Sequence, residues 1–369
     1  MRDGEIEALD TYIENLVRQL VGVTVIANSD LQPVRVGAGS DEANVAINRE
    51  EIDPEDSSIL VGRNPDGITD RSVDVLRIDT IDGVPLAVIV GYAAHPVVMG
   101  YFQYLYSQDY PGTVRSIVEK ATNATCLFLT GAAGNQACWS FLQSNWEEQE
   151  RMGGRIAGAA IKAFYGIETR PHKEIRKRGQ SLSLIALYHK EFHDGPTHQL
   201  FKTAHSTATV KLQPLPSQEE IEAQLAEATA LLDKYIAAGE GTEKTVPQQL
   251  EVRWAKGVLD MVKKGDTEHT LEYPIAGYRI DDFVLLSIPG EPFVEIQIGV
   301  KQLSKSKHTM FAGYANGILG YIPVEKTVKQ GGMSVSSAVR TYNIPAPPTE
   351  TAADDVIAAF GKVLSELGV

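Results

Sequence analysis

The chain has 369 residues, 43% of them apolar and 22% charged, and a formal net charge of −14. That length suits one large or two moderate domains, and the composition is that of an ordinary soluble globular protein. The acidic balance argues against nucleic acid or an anionic membrane surface as a partner, and no apolar run approaches the ~18 residues of a membrane span.

The opening MRDGEIEALD lacks the basic-then-apolar order of a signal peptide. Residues 4–20 place Ile6, Leu9, Ile13, Leu16, Val17 and Leu20 on one helical stripe. VTVIA (23–27) and PVRVGAG (33–39) read as short strands, and the polar stretch 40–70 as loop. VDVLRI and VPLAVIVGYAA read as a hairpin across Asp82-Gly83, the second strand apolar enough to be covered on both faces. Pro111 suits the first turn of a helix ending near Thr122. TCLFLTG is a further buried strand ending in the loop GAAGN. A helix over about 145–165 follows, with Gly153, Gly154, Gly158 and Ala159 forming a smooth face for close packing.

The middle of the chain differs. Residues 181–188 alternate like a strand. After them Ser217 and Glu220 form a capping box before a stripe of Ile221, Leu225, Leu232 and Ile236, and a second helix covers about 247–263. The segment 171–265, helical around 190–265, therefore reads as an insertion-like excursion within a single domain, 1–369. Strands return at 271–280, 283–288 and near 309–314, and a helix over 351–367 closes the chain. Interleaved strands and helices give an α/β class, a mixed central sheet flanked by helices.

Four strand ends carry polar groups directly after apolar runs: His95-Pro96, the loop Gly131–Asn135, Pro289-Gly290-Glu291-Pro292, and Gly313–Asn316 through Tyr321. Ligand crevices of α/β sheets lie outside such ends. An imidazole at His95 serves either as metal ligand or general base, or as a hydrogen-bonded core histidine. Glu291 is either a metal-binding or basic carboxylate, or an acid at a helix N-terminus. Asp109, in SQDYPG, caps a helix or takes part in catalysis. The backbone of GAAGN, ending at Asn135, would hold an oxyanion or phosphate, or simply turns tightly. That loop lacks the Lys and Ser/Thr of a P-loop. His189, His193, His198 and His205 make a rival metal cluster, but with no HExxH in a polar stretch they read as surface. Cys126 and Cys138 cannot form a disulfide framework and leave the compartment open.

Taken in order, NRE, GRNPDG…VDVLRID, GYAAHPVVMG, SQDYPG, LFLTGAAGN, SIPGEPF and FAGYANGILGYIP resemble the blocks of the neutral/alkaline non-lysosomal ceramidases, zinc-dependent amide hydrolases. The resemblance runs from about residue 30 to 345 and is weakest across 180–265. It implies a bound zinc with His95, Glu291 and Tyr321 as ligands, and Arg49 as a substrate-contacting residue. In such enzymes the metal acts as a Lewis acid.

The chain departs from that pattern twice. The family's upstream histidine motif has no counterpart, since the first histidine here is His95. A longer chain, a second chain that completes the site, or loss of the metal would each account for this. Ala137 stands where the family's nucleophilic serine would be, with Cys138 one place on. The expectation is therefore a zinc-dependent hydrolase of a small-molecule amide or related bond, with metal-activated water as nucleophile. The rival is a non-catalytic or partner-completed relative that binds a polar small molecule or a second subunit through the same crevice.

Overall fold

The computed structural model describes residues 3–100, 103, 105–195, 200–266 and 268–369. It begins with one long helix, α1 (Asp3–Ser29). The expected strand at 23–27 is the last part of that helix. Its β-branched residues favour a strand locally, but Leu20, Val23 and Ala27 continue the 3–4 spacing of the stripe, and among the described residues no strand pairs with it. β1 (Val34–Glu42) follows, then β2 (Ala46–Ile52) and β3 (Ile59–Asn64), a hairpin where a loop was expected. Ala46–Arg49 are buried, Asn48 and Arg49 among them, and the acidic residues of the stretch are half-buried or exposed. Polarity on an outer hairpin hides the alternation by which a strand is recognised.

β4 (Ser72–Thr80) and β5 (Pro85–Tyr92) pair antiparallel across the Asp82-Gly83 turn, where Gly83 takes φ +83°. α2 (Asp109–Thr122) leads to β6 (Thr125–Thr130), parallel to β5. The short β7 (Gln136–Cys138) pairs with β2. α3 (Trp146–Gly166) is capped by Asn145, whose side chain accepts from two backbone N–H groups. It packs on α2 at Gly153, where a Cβ would lie 2.6 Å from Thr113 Cβ; Gly158 has no neighbour within 4 Å.

The excursion opens with strands: the hairpin β8 (His172–Gln180) and β9 (Leu184–Phe192), then β10 (Phe201–Lys211). Its helical part is the antiparallel pair α4 (Gln218–Ala237) and α5 (Thr242–Lys263), with the capping box of Ser217 and Glu220 formed. β11 (Thr270–Ile280) and β12 (Phe283–Ser287) follow. The two-residue β13 (Glu291–Pro292) precedes α6 (Val294–Leu303), β14 (His308–Ala312) and β15 (Tyr321–Ile322). Three helices close the chain: α7 (Glu325–Gln330), α8 (Ser337–Thr341) and α9 (Ala352–Leu367).

The α/β class with sheets of mixed direction is what the structure has, its strands divided among several sheets. Two four-stranded sheets dominate, in the orders β1-β4-β5-β6 and β10-β11-β12-β14. Each has two antiparallel pairings and then one parallel pairing, β5 with β6 and β12 with β14. Leu76 meets Phe283 and Met310 between the two sheets. α2 and α3 cover the outer face of the first sheet, and α6 and α9 that of the second. The product is four layers, helix–sheet–sheet–helix, and the parallel pairs send their C-terminal ends to one place.

Candidate active site

Those parallel strands deliver the four polar segments together. His95 lies three residues beyond β5, and its N–H donates to Gln136 O at 2.9 Å. The loop Gly131–Asn135 follows β6, Glu291 follows β12, and Tyr314 follows β14. Backbone bonds join the two sheets at this edge: Gly313 N–H donates to Thr130 O at 3.0 Å, and Gly134 N–H to Pro292 O at 2.9 Å. Glu291 is therefore not a helix N-terminal acid. It sits on β13 paired with β15, which brings Tyr321 alongside, and α6 starts three residues later.

His95 and Glu291 are 8% and 3% exposed, and their Nε2 and Oε2 atoms lie 2.8 Å apart. The other ring nitrogen, Nδ1, bonds the carbonyl of Ala133. Burial, with Arg49 nearby, pushes the imidazole below its usual pKa. Burial also tends to raise Glu291, but the contacts with His95, Tyr342 and Tyr321 outweigh it and hold the carboxyl below its usual range.

Three phenols surround the carboxylate. Tyr314 donates to Glu291 Oε2 at 3.1 Å and its hydroxyl is also 3.1 Å from His95 Nε2. Tyr342, just past α8, donates to Oε1. Tyr321 stacks on His95 with ring centroids 6.3 Å apart, and its phenol is pushed up to about 12, chiefly by burial. Its oxygen accepts from Arg49 Nη2 at 2.7 Å. Arg49 also donates to Gly134 O from Nε at 3.1 Å and Nη2 at 2.8 Å, so one guanidinium joins β2, the GAAGN loop and β15.

The structure thus brings together His95, Glu291, Tyr321 and Arg49. Asn135 lies beside them but both ends of its amide are engaged by α6: Oδ1 accepts from Val294 N–H, and Nδ2 donates to Glu295, each at 2.9 Å. Asp109 is more remote. Its carboxylate accepts from Met99 N–H at 2.8 Å and Tyr110 N–H at 2.7 Å, and it adopts φ 52° at the start of α2. Ala137 is buried between Ile47 and His95, and burial raises the Cys138 thiol well above its usual pKa.

Two groups of this cluster escaped sequence reasoning. Tyr314 lies inside one of the four strand-end segments, but nothing local distinguishes it from Tyr321. Tyr342 follows a short helix 51 residues beyond Glu291 and has no motif around it. His189 and His193 are exposed on and just after β9, His205 is exposed on β10, and His198 lies outside the described residues. Among the described residues no three His, Cys, Asp or Glu side chains gather as a metal-binding group. Any ion here would rest on His95, Glu291 and phenols. No described helix is long and apolar enough to cross a membrane.

No protein-family model and no curated protein sequence matches the chain. Solved structures do. The neutral ceramidase from Pseudomonas aeruginosa matches 93% of this chain and 54% of its own, with TM-score 0.52 and 18% identity. A ceramidase complexed with C2 matches 93% of this chain and 55% of its own, with TM-score 0.55 and 15% identity. The chain spans about half the length of those proteins, and its fold is ceramidase-like.

Proposed function

We propose that the chain is a zinc-dependent hydrolase of the neutral ceramidase-like superfamily, acting on a small molecule with an amide or related bond. The observation that carries this reading is the 2.8 Å approach of His95 Nε2 to Glu291 Oε2. The Nδ1 contact with a backbone carbonyl assigns the ring proton to that side, because a carbonyl only accepts. Nε2 then faces a carboxylate whose contacts hold its pKa below the usual range. A proton on Nε2 or a metal ion shared by the two atoms would each satisfy this buried pair, and the zinc reading takes the second. An imidazole nitrogen fixed by a carbonyl on its far side, with a carboxylate oxygen beside it, suits zinc in donor type.

His95 and Glu291 would hold the ion, with the Tyr321 phenol as a third donor and at least one position left for water or substrate. Bound zinc supplies a Lewis acid for the scissile carbonyl and a water acidic enough to attack at neutral pH. The chain's own groups do the rest. Glu291, locked by phenols on both oxygens, is fixed in orientation. Arg49 orients Tyr321 and the GAAGN loop through Nε and Nη2, leaving Nη1 to meet a substrate oxygen. Water is the nucleophile in this reading because Ala137 has no hydroxyl and the Cys138 thiol is buried, which raises its pKa.

The test is metal content of protein purified without chelators. Stoichiometric zinc, lost in both His95→Ala and Glu291→Ala, is the expected result, together with turnover of some member of an N-acyl amide panel that both substitutions abolish. Metal-free protein whose melting temperature ignores added zinc would sink the reading. A partner-completed site is the second reading, favoured by the shortage of strong ligands among the described residues. It predicts weak zinc binding and no turnover by the chain alone.

A further inference from the structure

Tyr314 has a backbone that its side chain does not favour. Its φ of 58° lies in the left-handed region, where a bulky aromatic residue is an outlier. Bonds on either side keep it there: Tyr314 N–H donates to Gly290 O at 2.9 Å, and Ala315 N–H to Ile288 O at 3.0 Å. The conformation sets the ring edge-on to His95, with centroids 5.7 Å apart and planes at 87°. It also places the hydroxyl 3.1 Å from His95 Nε2 and 3.1 Å from Glu291 Oε2. A phenylalanine would fill the same space, and an asparagine would accept the same φ at lower cost. Neither would put a hydroxyl at the one point shared by the two strongest metal donors of the site.

We propose that Tyr314 is a positioning residue for the metal pair: its hydroxyl donates to Glu291 Oε2 and fixes the carboxylate opposite His95 Nε2. Tyr342 holds the other oxygen, Oε1, so the carboxylate is clamped at both ends and cannot rotate away from the imidazole. The inference rests on the zinc reading above and adds to it a residue outside the ligand set. Hydrogen-bond partners of ligating groups typically contribute about 10–100-fold to metal affinity.

The experiment compares zinc affinity of the full chain and Tyr314→Phe by competition with a chromophoric chelator, with the visible spectrum of the cobalt(II)-substituted protein as a second readout. Tyr314→Phe keeps the ring and removes one oxygen. The expected result is a zinc Kd weakened about 10–100-fold and a shifted cobalt spectrum, with the metal-free melting temperature unchanged. Tyr110→Phe is the control. It deletes a hydroxyl that donates to Ala94 O at 2.6 Å, one residue from His95, and should leave zinc affinity as it is. If Tyr314→Phe does not fold, Tyr314→Asn, which tolerates the left-handed backbone, carries the same outcomes. Zinc affinity within about twofold of the unsubstituted chain overturns this inference and leaves the metal reading intact. An equal loss in Tyr110→Phe also overturns it, since the effect would then be one of local packing. A wild-type chain that binds no zinc overturns both.

Discussion

The strand-end crevice and the outer elements α1 and β9 carry similar apolar stretches and meet opposite fates. Val88 and Val90 on β5 are wholly buried, whereas Leu20 and Val25 on α1 are 56% and 63% exposed, and Leu187 and Tyr188 on β9 are exposed too. In the crevice, backbone, carboxylate, imidazole and phenols are tied together across two sheets. Along α1, side-chain bonds such as Arg18 to Glu14 and Thr24 to Leu20 O stay within the helix. Hydrophobicity in the sequence therefore does not decide burial. What decides it is whether the chain brings a second layer to the same face, as the two mixed sheets do for each other.

The largest effect should come from removing that second layer. Phe360 on α9 is fully buried and packs edge-on against Phe311 of β14, with centroids 5.3 Å apart. Phe360→Ala deletes the pair and leaves a cavity, at a cost of about 3–5 kcal/mol. Urea unfolding gives the number. A loss below about 1 kcal/mol would mean that α9 is not integral to the layered core.

Next is the junction between the sheets. A Cβ on Gly134 would lie 2.5 Å from Glu291 O and 2.8 Å from Pro292 O, both backbone atoms that cannot swing aside. Gly134→Ala should cost about 1–3 kcal/mol and push the GAAGN loop off β13. The same displacement should weaken zinc binding, because Ala133 and Glu291 would no longer hold their present spacing to His95. A variant of unchanged stability would show that the junction is loose, against the close approach of the two backbones.

Glu50 gives a smaller, pH-dependent difference. Burial raises its carboxyl to about 7, with Glu295 adding repulsion and the Thr327 hydroxyl opposing. The native state then keeps a proton that the unfolded chain releases near 4.5. Stability from this group is present below about pH 4.5 and is lost as pH rises through about 7. Glu50→Gln should match the unsubstituted chain in acid and gain on it as pH rises, by a few degrees of melting temperature at about pH 8. His95, pushed down by burial, drives stability the other way as pH falls below the usual imidazole pKa, so the difference between the two proteins is the quantity to follow. A pH-independent difference would show that Glu50 is solvated like a surface acid.

What was legible in the sequence follows from the same contrast. The crevice strands announce themselves because a strand covered on both faces is continuously apolar and must stop abruptly, at His95, Gly131 or Pro289. Convergence of His95, Glu291, Tyr321 and Arg49 was an expectation carried by resemblance, and the parallel pairs β5–β6 and β12–β14 are its physical cause. The hairpin β2–β3 was illegible because burial there does not follow polarity, with Asn48 and Arg49 buried and Ile52, Leu60 and Val61 exposed, and its place is fixed by pairing with β7, some 90 residues away. VTVIA misled because β-branched residues favour strands only where a sheet can receive them. Tyr342 was beyond reach, since its nearness to Glu291 depends on the packing of α8 and on no local pattern.

The smallest expected effect lies on α1. Leu20 is 56% exposed in a helix whose described side chains lie open along its length. Gln is nearly as good a helix former as Leu, so Leu20→Gln removes apolar surface without disturbing the backbone. Stability of the chain should change by no more than about 0.5 kcal/mol, as for other exposed sites. Urea unfolding at several protein concentrations checks this. A larger loss that grew with concentration would mean that α1 is covered by another chain in solution, and that the two regions differ in which chain supplies the second layer.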